Sequence, residues 1–270
     1  MPTVRDLSEQ AGDEPITMLT AYDTPTAELV DEAGIDCILV GDSLGNTVLG
    51  YDTTIPVTLG DIDRHVRAVA RGTDEALIVA DMPFLSVGVD RAESIENAGS
   101  LLKDSGAEAV KIESGPHTVE LTRELDQLGI PVMAHLGMTP QRVNSYGGYP
   151  RQGTDEEGAN EILELAREHE AAGAFALVLE HIDANVAAAV TEELEIPTIG
   201  IGAGPACDGQ VLVFHDAVGF AEWTPSFSKQ FGDVRGEMEQ AVDAYIEAVK
   251  TDAFPGPEHS HEQRDLEDLY

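Results

Sequence analysis

The chain has 270 residues, enough for one barrel domain of eight strand–helix units or for two smaller domains. Its 51 acidic and 15 basic residues leave a formal net charge of −36 at pH 7, which excludes nucleic acid and anionic membranes as expected partners. Apolar runs recur throughout the chain, so the acidity does not indicate disorder. We interpret it as a surface adapted to a high-salt cytoplasm, where counterions screen the repulsion between carboxylates.

The cysteine usage and the N-terminus indicate a cytoplasmic protein. Cys37 and Cys207 lie far apart and form no metal-binding or disulfide pattern, so we expect both to be reduced intracellular thiols. No apolar stretch approaches the length of a membrane span, and the polar N-terminus lacks the core of a signal peptide.

Strand and helix patterns alternate along the chain. A polar lead-in, residues 1–15, precedes a first strand at 16–20. The helix predicted at 24–33 has Pro25 at its first position and Gly34 just after its end. The other predicted strands are 37–40, 76–80, 109–112, 129–135, 175–179, 196–201 and 210–215. The other predicted helices are 59–71, 91–103, 117–128, 155–172, 184–194 and 234–250.

Repeated strand–loop–helix units without a linker favour an α/β fold with one (β/α)₈ TIM barrel over residues 1–270. A polar, acidic extension is expected from about residue 254. The alternative is a doubly wound sheet, which is disfavoured because no Gly-x-Gly-x-x-Gly follows the first strand. Two long connections, 45–56 and 136–153, are predicted to be functional loops, the second a lid.

Four of the apolar runs end in an acidic residue: Asp42, Asp81, Glu113 and Glu180. The C-terminal strand ends of a parallel barrel form its active face, so these acids should converge there. Asp42, Asp81 and Glu113 are oxygen donors of the kind that hold Mg²⁺. The alternative is that each caps the helix after its strand.

Lys111 lies two residues before Glu113, so both side chains should point into the barrel mouth. It could form a Schiff base, bind an anionic substrate or neutralise the acids, and the sequence does not separate these roles. Glu180 is the candidate general base. His135 is a weaker candidate, and a hydrogen-bonded strand-end histidine is the favoured interpretation of it. The glycines of residues 200–204 suit either phosphate binding or a close backbone turn.

Several motifs together resemble those of ketopantoate hydroxymethyltransferases, over roughly residues 15–260. They are Val-Gly-Asp-Ser-Leu-Gly at 40–45, Ala-Asp-Met-Pro-Phe at 80–84, Val-Lys-Ile-Glu at 110–113, His-Leu-Gly-Met-Thr-Pro-Gln at 135–141, Ile-Gly-Ile-Gly-Ala-Gly at 199–204, Asp-Gly-Gln at 208–210 and Phe-Pro-Gly-Pro-Glu-His-Ser at 254–260. The set is far more specific than any one motif.

The resemblance implies a role for each matching residue. Asp42, Asp81 and Glu113 match the Mg²⁺-binding acids of the family. The positions that bind the keto acid are matched by Asp42, Ser43, Asp81 and Lys111. Glu180 matches the proton acceptor.

The family's activity is the second implication. It is a cytoplasmic (β/α)₈ barrel of the phosphoenolpyruvate/pyruvate type that assembles into a decamer. It transfers a hydroxymethyl group from 5,10-methylenetetrahydrofolate to 3-methyl-2-oxobutanoate through a Mg²⁺-stabilised enolate, giving 2-dehydropantoate for pantothenate and coenzyme A biosynthesis. The acidic surface departs from the usual family composition and bears on the oligomer contacts. The alternatives are a Mg²⁺-dependent lyase or mutase, a Schiff-base aldolase using Lys111, and a non-catalytic binding or scaffold barrel.

Overall fold

The computed structural model describes residues 3–12 and 14–261, and eight parallel strands close into a barrel in chain order. Each strand pairs with its sequence neighbours, and the first pairs with the last through Ile16 and Gly209. The predicted (β/α)₈ architecture is confirmed. The strands are β1 (Ile16–Thr20), β2 (Cys37–Val40), β3 (Leu77–Asp81), β4 (Ala109–Glu113), β5 (Val132–Gly137), β6 (Ala176–Glu180), β7 (Thr198–Ile201) and β8 (Gly209–Leu212).

A helix precedes β1, every connection between strands except the described one from β7 to β8 contains at least one helix, and further helices follow β8. They are α1 (Val4–Gln10), α2 (Thr24–Glu32), α3 (Leu44–Thr47), α4 (Leu59–Val69), α5 (Arg91–Ser100), α6 (Val119–Gln127), α7 (Val143–Tyr146), α8 (Glu156–Ala171), α9 (Ala184–Glu193), α10 (Phe214–Ala217) and α11 (Val234–Lys250). A π-helical turn, Leu101–Ser105, extends α5, and 3₁₀ turns occupy Pro140–Arg142 and Pro257–His259. No helix among the described residues is long and apolar enough to cross a membrane.

The structure corrects several predicted boundaries. The polar lead-in contains α1, which begins at a capping box in which Thr3 and Asp6 bond each other's backbone N–H groups. The connection after β2 begins with the single turn α3 rather than as a loop. Strand β5 begins three residues later and ends two residues later than predicted, and α7 lies in the connection after it. Strand β8 ends at Leu212, so His215 belongs to α10 and not to a strand.

Alternation along the strands decides which side chains enter the barrel. In β3, Leu77 and Val79 belong to the inner cluster, whereas Ile78 and Ala80 pack with residues of the surrounding helices. The same alternation continues to Asp81, which therefore points inward at the C-terminal end of the strand. The parity of β4, β5 and β6 likewise turns inward the side chains of Lys111, Glu113, His135 and Glu180.

The helices after the acid-bearing strands use other residues as caps. The N-cap residue is Thr58 for α4, Asp90 for α5 and Thr118 for α6. The hypothesis that Asp42, Asp81 and Glu113 are helix caps is therefore wrong, and these acids are left for another role. The cap of α3 is Ser43, whose side chain makes no capping hydrogen bond.

The chain forms two compact units. The first contains the barrel and covers the chain to residue 214 together with 225–228, and the second contains 215–224 and the chain from 229. Helix α11 has no buried residue. The expected C-terminal extension from about residue 254 is almost entirely exposed as far as residue 261, and its last residues, 262–270, lie outside the described part.

Some of the acidic side chains stabilise the fold by accepting backbone hydrogen bonds. Asp31, near the end of α2, accepts backbone hydrogen bonds from Asp74, Glu75 and Ala76 at 3.0, 3.1 and 2.7 Å. These N–H groups precede β3 and have no strand partner there. The Asp31 carboxylate therefore fastens α2 to the N-terminal end of the barrel, the face on which such folds build stability rather than activity.

We expect Asp31→Ala to lower the free energy of unfolding by about 2 kcal/mol, because three backbone donors lose a charged acceptor. Denaturant unfolding measures this loss. Glu32→Ala removes the same charge from the adjacent, exposed position of α2 and is the control. Equal stability of the two variants would contradict the structural role of Asp31.

Candidate functional site

The strand-end acids meet at the C-terminal mouth of the barrel. Asp81, Glu113 and Glu180 are the last residues of β3, β4 and β6, and Asp42 follows β2 by two residues. Asp42 and Asp81 are only 5% and 4% exposed. The backbone N–H of Asp42 donates to Asp81 Oδ2 at 2.8 Å, so the first two acids are directly linked.

Lys111 is the cation of this cluster. Its Nζ lies 2.7 Å from Asp81 Oδ1, and both side chains are buried. Burial by itself lowers the pKa of Lys111, but the carboxylates of Asp81 and Asp42 outweigh that effect and raise the pKa. The lysine is therefore held in its charged form beside the acids.

His135 connects Lys111 to Glu180. Lys111 Nζ is 3.3 Å from His135 Nδ1, and His135 Nε2 is 3.2 Å from Glu180 Oε2. Burial and the charge of Lys111 lower the pKa of His135, so the imidazole is neutral. An ammonium can only donate, so Nδ1 accepts and the ring proton lies on Nε2. A buried chain of polar groups thus runs across four neighbouring strands, from Asp81 to Glu180.

Gln141, in the connection after β5, joins Asp42 to Glu113. Its backbone N–H donates to both oxygens of Glu113 at 3.1 Å. Its side-chain Nε2 donates to Asp42 Oδ2 at 2.9 Å and to the Met82 carbonyl oxygen at 3.0 Å. Asp42 and Glu113 therefore share one hydrogen-bonding residue.

Burial and mutual repulsion shift the pKa values of these carboxyls. Burial, then the charge of Asp81, raises the pKa of Asp42 to about 7. Burial, then the charge of Asp42, raises the pKa of Glu113 well above its usual range. Burial also raises the pKa of Glu180 to about 7. One ammonium, that of Lys111, cannot neutralise all four of these carboxyls.

The donor set fits Mg²⁺, which takes one or two carboxylates and completes its shell with water and substrate oxygens. Burial raises the pKa values of Asp42 and Glu113 more than the positive charge of Lys111 lowers them, so both buried carboxyls would be stabilised by a further cation. Within residues 3–12 and 14–261, no three His, Cys, Asp or Glu side chains form a ready-made metal cage. The contacts explain this, because Asp81 is paired with Lys111 and Gln141 bonds both Asp42 and Glu113.

Ser43 follows Asp42 in the chain, and its hydroxyl contacts Tyr22, which lies in the connection after β1. Its Oγ lies 2.8 Å from the hydroxyl of Tyr22, which is buried. Burial raises the pKa of Tyr22 to about 12, so the phenol stays protonated and can act as a donor. Tyr22 therefore fixes the position of the Ser43 hydroxyl.

The glycines after β7 are accounted for by packing. A Cβ on Gly202, which has φ +63°, would lie 2.8 Å from Cγ of the Phe227 ring. A Cβ on Gly204, with φ +83°, would lie 2.5 Å from the Cβ of Ala184. A close backbone turn explains both residues, and the alternative of phosphate binding stays a hypothesis.

Three residues near the acids had no role in the sequence analysis: Gln141, Tyr22 and Tyr149. Gln141 belongs to a family motif, and Tyr22 follows the first strand, but neither residue type signals chemistry by itself. Tyr149 lies in the predicted lid. Burial, followed by the charges of Asp42, Glu180 and Glu113, raises the pKa of Tyr149.

Comparison with solved structures defines the class of fold. The chain superimposes on phosphoenolpyruvate phosphomutase from Streptomyces platensis subsp. rosaceus with a TM-score of 0.63 at 15% identity, covering 98% of this chain and 93% of that one. It matches 2,3-dimethylmalate lyase, a member of the PEP mutase/isocitrate lyase superfamily, with a TM-score of 0.60 at 18% identity, covering 98% and 94%. These likenesses show the same barrel fold that the strand order shows.

Sequence comparison narrows the class to one family. The family model of ketopantoate hydroxymethyltransferase matches residues 2–257. Relatives called 3-methyl-2-oxobutanoate hydroxymethyltransferase are 66% identical in Haloarcula marismortui, over all of both chains, and 65% identical in Natronomonas pharaonis, over 98% of this chain and 99% of that one. A relative of the same name from Geobacter metallireducens is 50% identical over 96% and 97%. The chain belongs to the ketopantoate hydroxymethyltransferase family and is a transferase.

The raised pKa of Glu180 predicts a pH-dependent cost to stability. The folded carboxyl, with a pKa of about 7, binds its proton more tightly than an unfolded one, whose pKa is 4.5. Folding is therefore favoured at low pH by this group, and stability is lost as the pH rises from 4.5 through 7. We expect Glu180→Gln to become more stable than the parent over this range, by up to about 3 kcal/mol at pH 8.

Denaturant unfolding of both proteins between pH 4.5 and pH 8 measures the difference. A constant difference in free energy across that range would show that the Glu180 carboxyl is not desolvated in the folded protein.

Proposed function

We propose that the protein transfers a hydroxymethyl group from 5,10-methylenetetrahydrofolate to 3-methyl-2-oxobutanoate, giving 2-dehydropantoate and tetrahydrofolate. Water supplies the hydroxyl oxygen of the product. The observation that carries the proposal is the buried chain from Asp81 through Lys111 and His135 to Glu180. At one mouth of the barrel, this chain connects the ammonium of Lys111, which would bind a substrate carboxylate, to the carboxyl of Glu180, which would act as the base. The names of the relatives support the same reaction.

Lys111 would bind the carboxylate of the keto acid, beside Asp42, Ser43 and Asp81. Its ammonium is permanently charged because Asp81 lies 2.7 Å away. A charged amine has no lone pair with which to attack a carbonyl, so this environment disfavours a Schiff-base aldolase. It suits recognition of an anionic 2-oxo acid.

Glu180 would remove the proton from C3 of the keto acid. A base works best when its pKa is close to the working pH, and burial raises the pKa of Glu180 to about 7. His135 is a poorer base because burial and Lys111 lower its pKa. The carbanion formed at C3 is delocalised into the keto group as an enolate, and this carbon forms the new bond to the one-carbon unit.

Asp42, Asp81 and Glu113 would hold Mg²⁺. When bound, the ion supplies positive charge that polarises the keto group and stabilises the enolate. The acids also place negative charge around the substrate, so Lys111 is needed to keep the carboxylate of the keto acid in place. Ser43, held by Tyr22, offers a hydroxyl donor at the same position.

The connections after β2 and β5 would cover the mouth and exclude water from the enolate. The second carries Gly147 and Gly148 at φ +71° and +140° and Gly153 at φ +66°, which allow sharp bends on both sides of Tyr149. Its far end is tied to the β6–α9 connection by Arg151, whose Nε lies 3.0 Å from Asp183 Oδ1. Tyr149 would face the bound substrate.

Assembly and cellular context extend the proposal. A homo-oligomer, a decamer by family resemblance, is supported by the apolar residues that α11 exposes, among them Met238, Val242 and Tyr245 at 50%, 55% and 60%. The acidic surface fits relatives from Haloarcula marismortui and Halobacterium salinarum. The reaction would serve pantothenate and coenzyme A biosynthesis in a high-salt cytoplasm, without nucleic-acid or membrane partners.

The decisive experiment is an assay for 2-dehydropantoate from the two substrates in high-salt buffer, with Mg²⁺ and with excess chelator. We expect product only with the metal, and a loss of at least about a hundredfold in Asp42→Asn, because the amide is a weaker ligand and carries no charge. Asp52→Asn changes an exposed acid in the same connection and should keep parental activity. Full activity of the parent in chelator would exclude the metal from the reaction.

Glu180→Gln separates proton removal from binding. The amide keeps the shape of the side chain but cannot accept the proton, so we expect loss of product and of C3 hydrogen exchange in D₂O, by about a hundredfold or more. NMR of 3-methyl-2-oxobutanoate follows the exchange, and calorimetry should show the keto acid still bound. Asp42→Asn should lose exchange together with binding. Parental exchange in Glu180→Gln would mean that another residue is the base, with His135 next to be tested.

A further inference from the structure

Gln141 contacts the ends of three strands other than its own. It follows β5, yet its side-chain amide bonds Asp42 after β2 and the carbonyl of Met82 after β3, and its backbone N–H bonds Glu113 at the end of β4. Asp42 and Gln141 are 99 positions apart in the chain. One residue therefore ties the connection after β5 to the candidate metal acids.

The orientation of the Gln141 amide is determined by its partners. A carboxylate oxygen of Asp42 and a carbonyl oxygen of Met82 can only accept, so both must face the NH₂ group. Rotating the amide would set its oxygen against theirs and lose both hydrogen bonds. The side chain is therefore locked in one orientation, with one donor hydrogen directed at Asp42.

This donor compensates for a shortage of positive charge. The ammonium of Lys111 lies against Asp81, whereas the carboxylates of Asp42 and Glu113 accept hydrogen bonds from Gln141 alone within the described part of the chain. Asp42 accepts from the side-chain amide and Glu113 from the backbone N–H. Two carboxylates at a buried mouth repel each other. Without a donor between them, Asp42 would be free to turn away from Glu113.

We propose that Gln141 is a positioning residue for divalent-cation binding: its amide holds the Asp42 carboxylate in the orientation in which Asp42 and Glu113 take up a cation together. The inference rests on the proposed function, in which that cation is Mg²⁺. Because Gln141 lies between β5 and α8, the same contact couples the cation site to the segment that carries Tyr149.

The side chain can be tested without disturbing its backbone contact. Gln141→Met has a similar length and no donor, so it removes the bonds to Asp42 and Met82 while the N–H bonds to Glu113 remain. Gln141→Ala is the second variant, in case methionine is not accommodated. Gln152→Met is the matched control, since this residue lies in the same connection and its side chain donates only to the carbonyl of Pro150, at 2.9 Å.

Calorimetric titration with MgCl₂ alone, on the full-length protein in high-salt buffer, is the primary measurement. We expect the Mg²⁺ dissociation constant of Gln141→Met and Gln141→Ala to rise by at least about tenfold, the effect of losing a hydrogen bond to a charged group, and that of Gln152→Met to stay parental. Relative to each protein's own melting temperature without metal, added Mg²⁺ should raise the melting temperature less in the Gln141 variants than in the parent.

The dependence of turnover on Mg²⁺ concentration is a second readout, and a purely structural role of Gln141 would not change it. With saturating Mg²⁺, the Gln141 variants should regain kcat to within about twofold, because the defect lies in taking up the cation and not in the chemistry. Parental Mg²⁺ affinity in both Gln141 variants would overturn this inference and leave the proposed function standing. A parent protein that binds no Mg²⁺ would overturn the inference together with the metal part of the proposal, whereas a parent that binds Mg²⁺ but forms no product would overturn only the reaction.

Discussion

The crowding of buried negative charge at one end of the barrel is the constraint on which the site depends. Asp42, Asp81, Glu113 and Glu180 converge there, and Lys111 is the buried cation among them. The excess charge keeps Lys111 protonated, and burial followed by the neighbouring negative charge raises the pKa values of Asp42 and Glu113. Such an arrangement is unfavourable for folding and is retained where it serves chemistry, which is the usual balance at active sites.

The rest of the barrel makes this concentration of charge tolerable. Below the acids, inward-facing apolar residues such as Leu77, Val79 and Met133 form a buried cluster in the interior. At the opposite face, acids are used as hydrogen-bond acceptors, as Asp31 is for the chain before β3 and Glu170 is for the N–H groups of Glu195 and Ile196. The two ends of the barrel thus use the same residue types for opposite purposes.

The barrel fold and the family membership give different information about function. The barrel is shared with 2,3-dimethylmalate lyase at 18% identity, so it specifies where a site can lie but not its chemistry. The family match over residues 2–257 and the 65% and 66% identical relatives narrow the chemistry to one-carbon transfer. The geometry then suggests how the residues divide the work, with Lys111 as the anion-binding group and Glu180 as the base.

The sequence by itself determined the barrel, the strand ends that carry acids, and the inward direction of Lys111 and Glu113. These properties are local: alternation along a strand follows from covalent geometry, and the repeated units lead to one closed sheet. The sequence did not reveal α1, because a seven-residue helix in a polar segment has little apolar periodicity. It also left the strand-end acids open to interpretation as helix caps.

Only the tertiary structure decided which groups meet across strands. The pairing of Lys111 with Asp81, the contact of His135 with both Lys111 and Glu180, and the reach of Gln141 to Asp42 all join residues far apart in the chain. The protonation of these groups follows from the same contacts, since desolvation and neighbouring charge set a pKa. Both depend on strand register and on the path of the connections, which no local pattern of residues encodes.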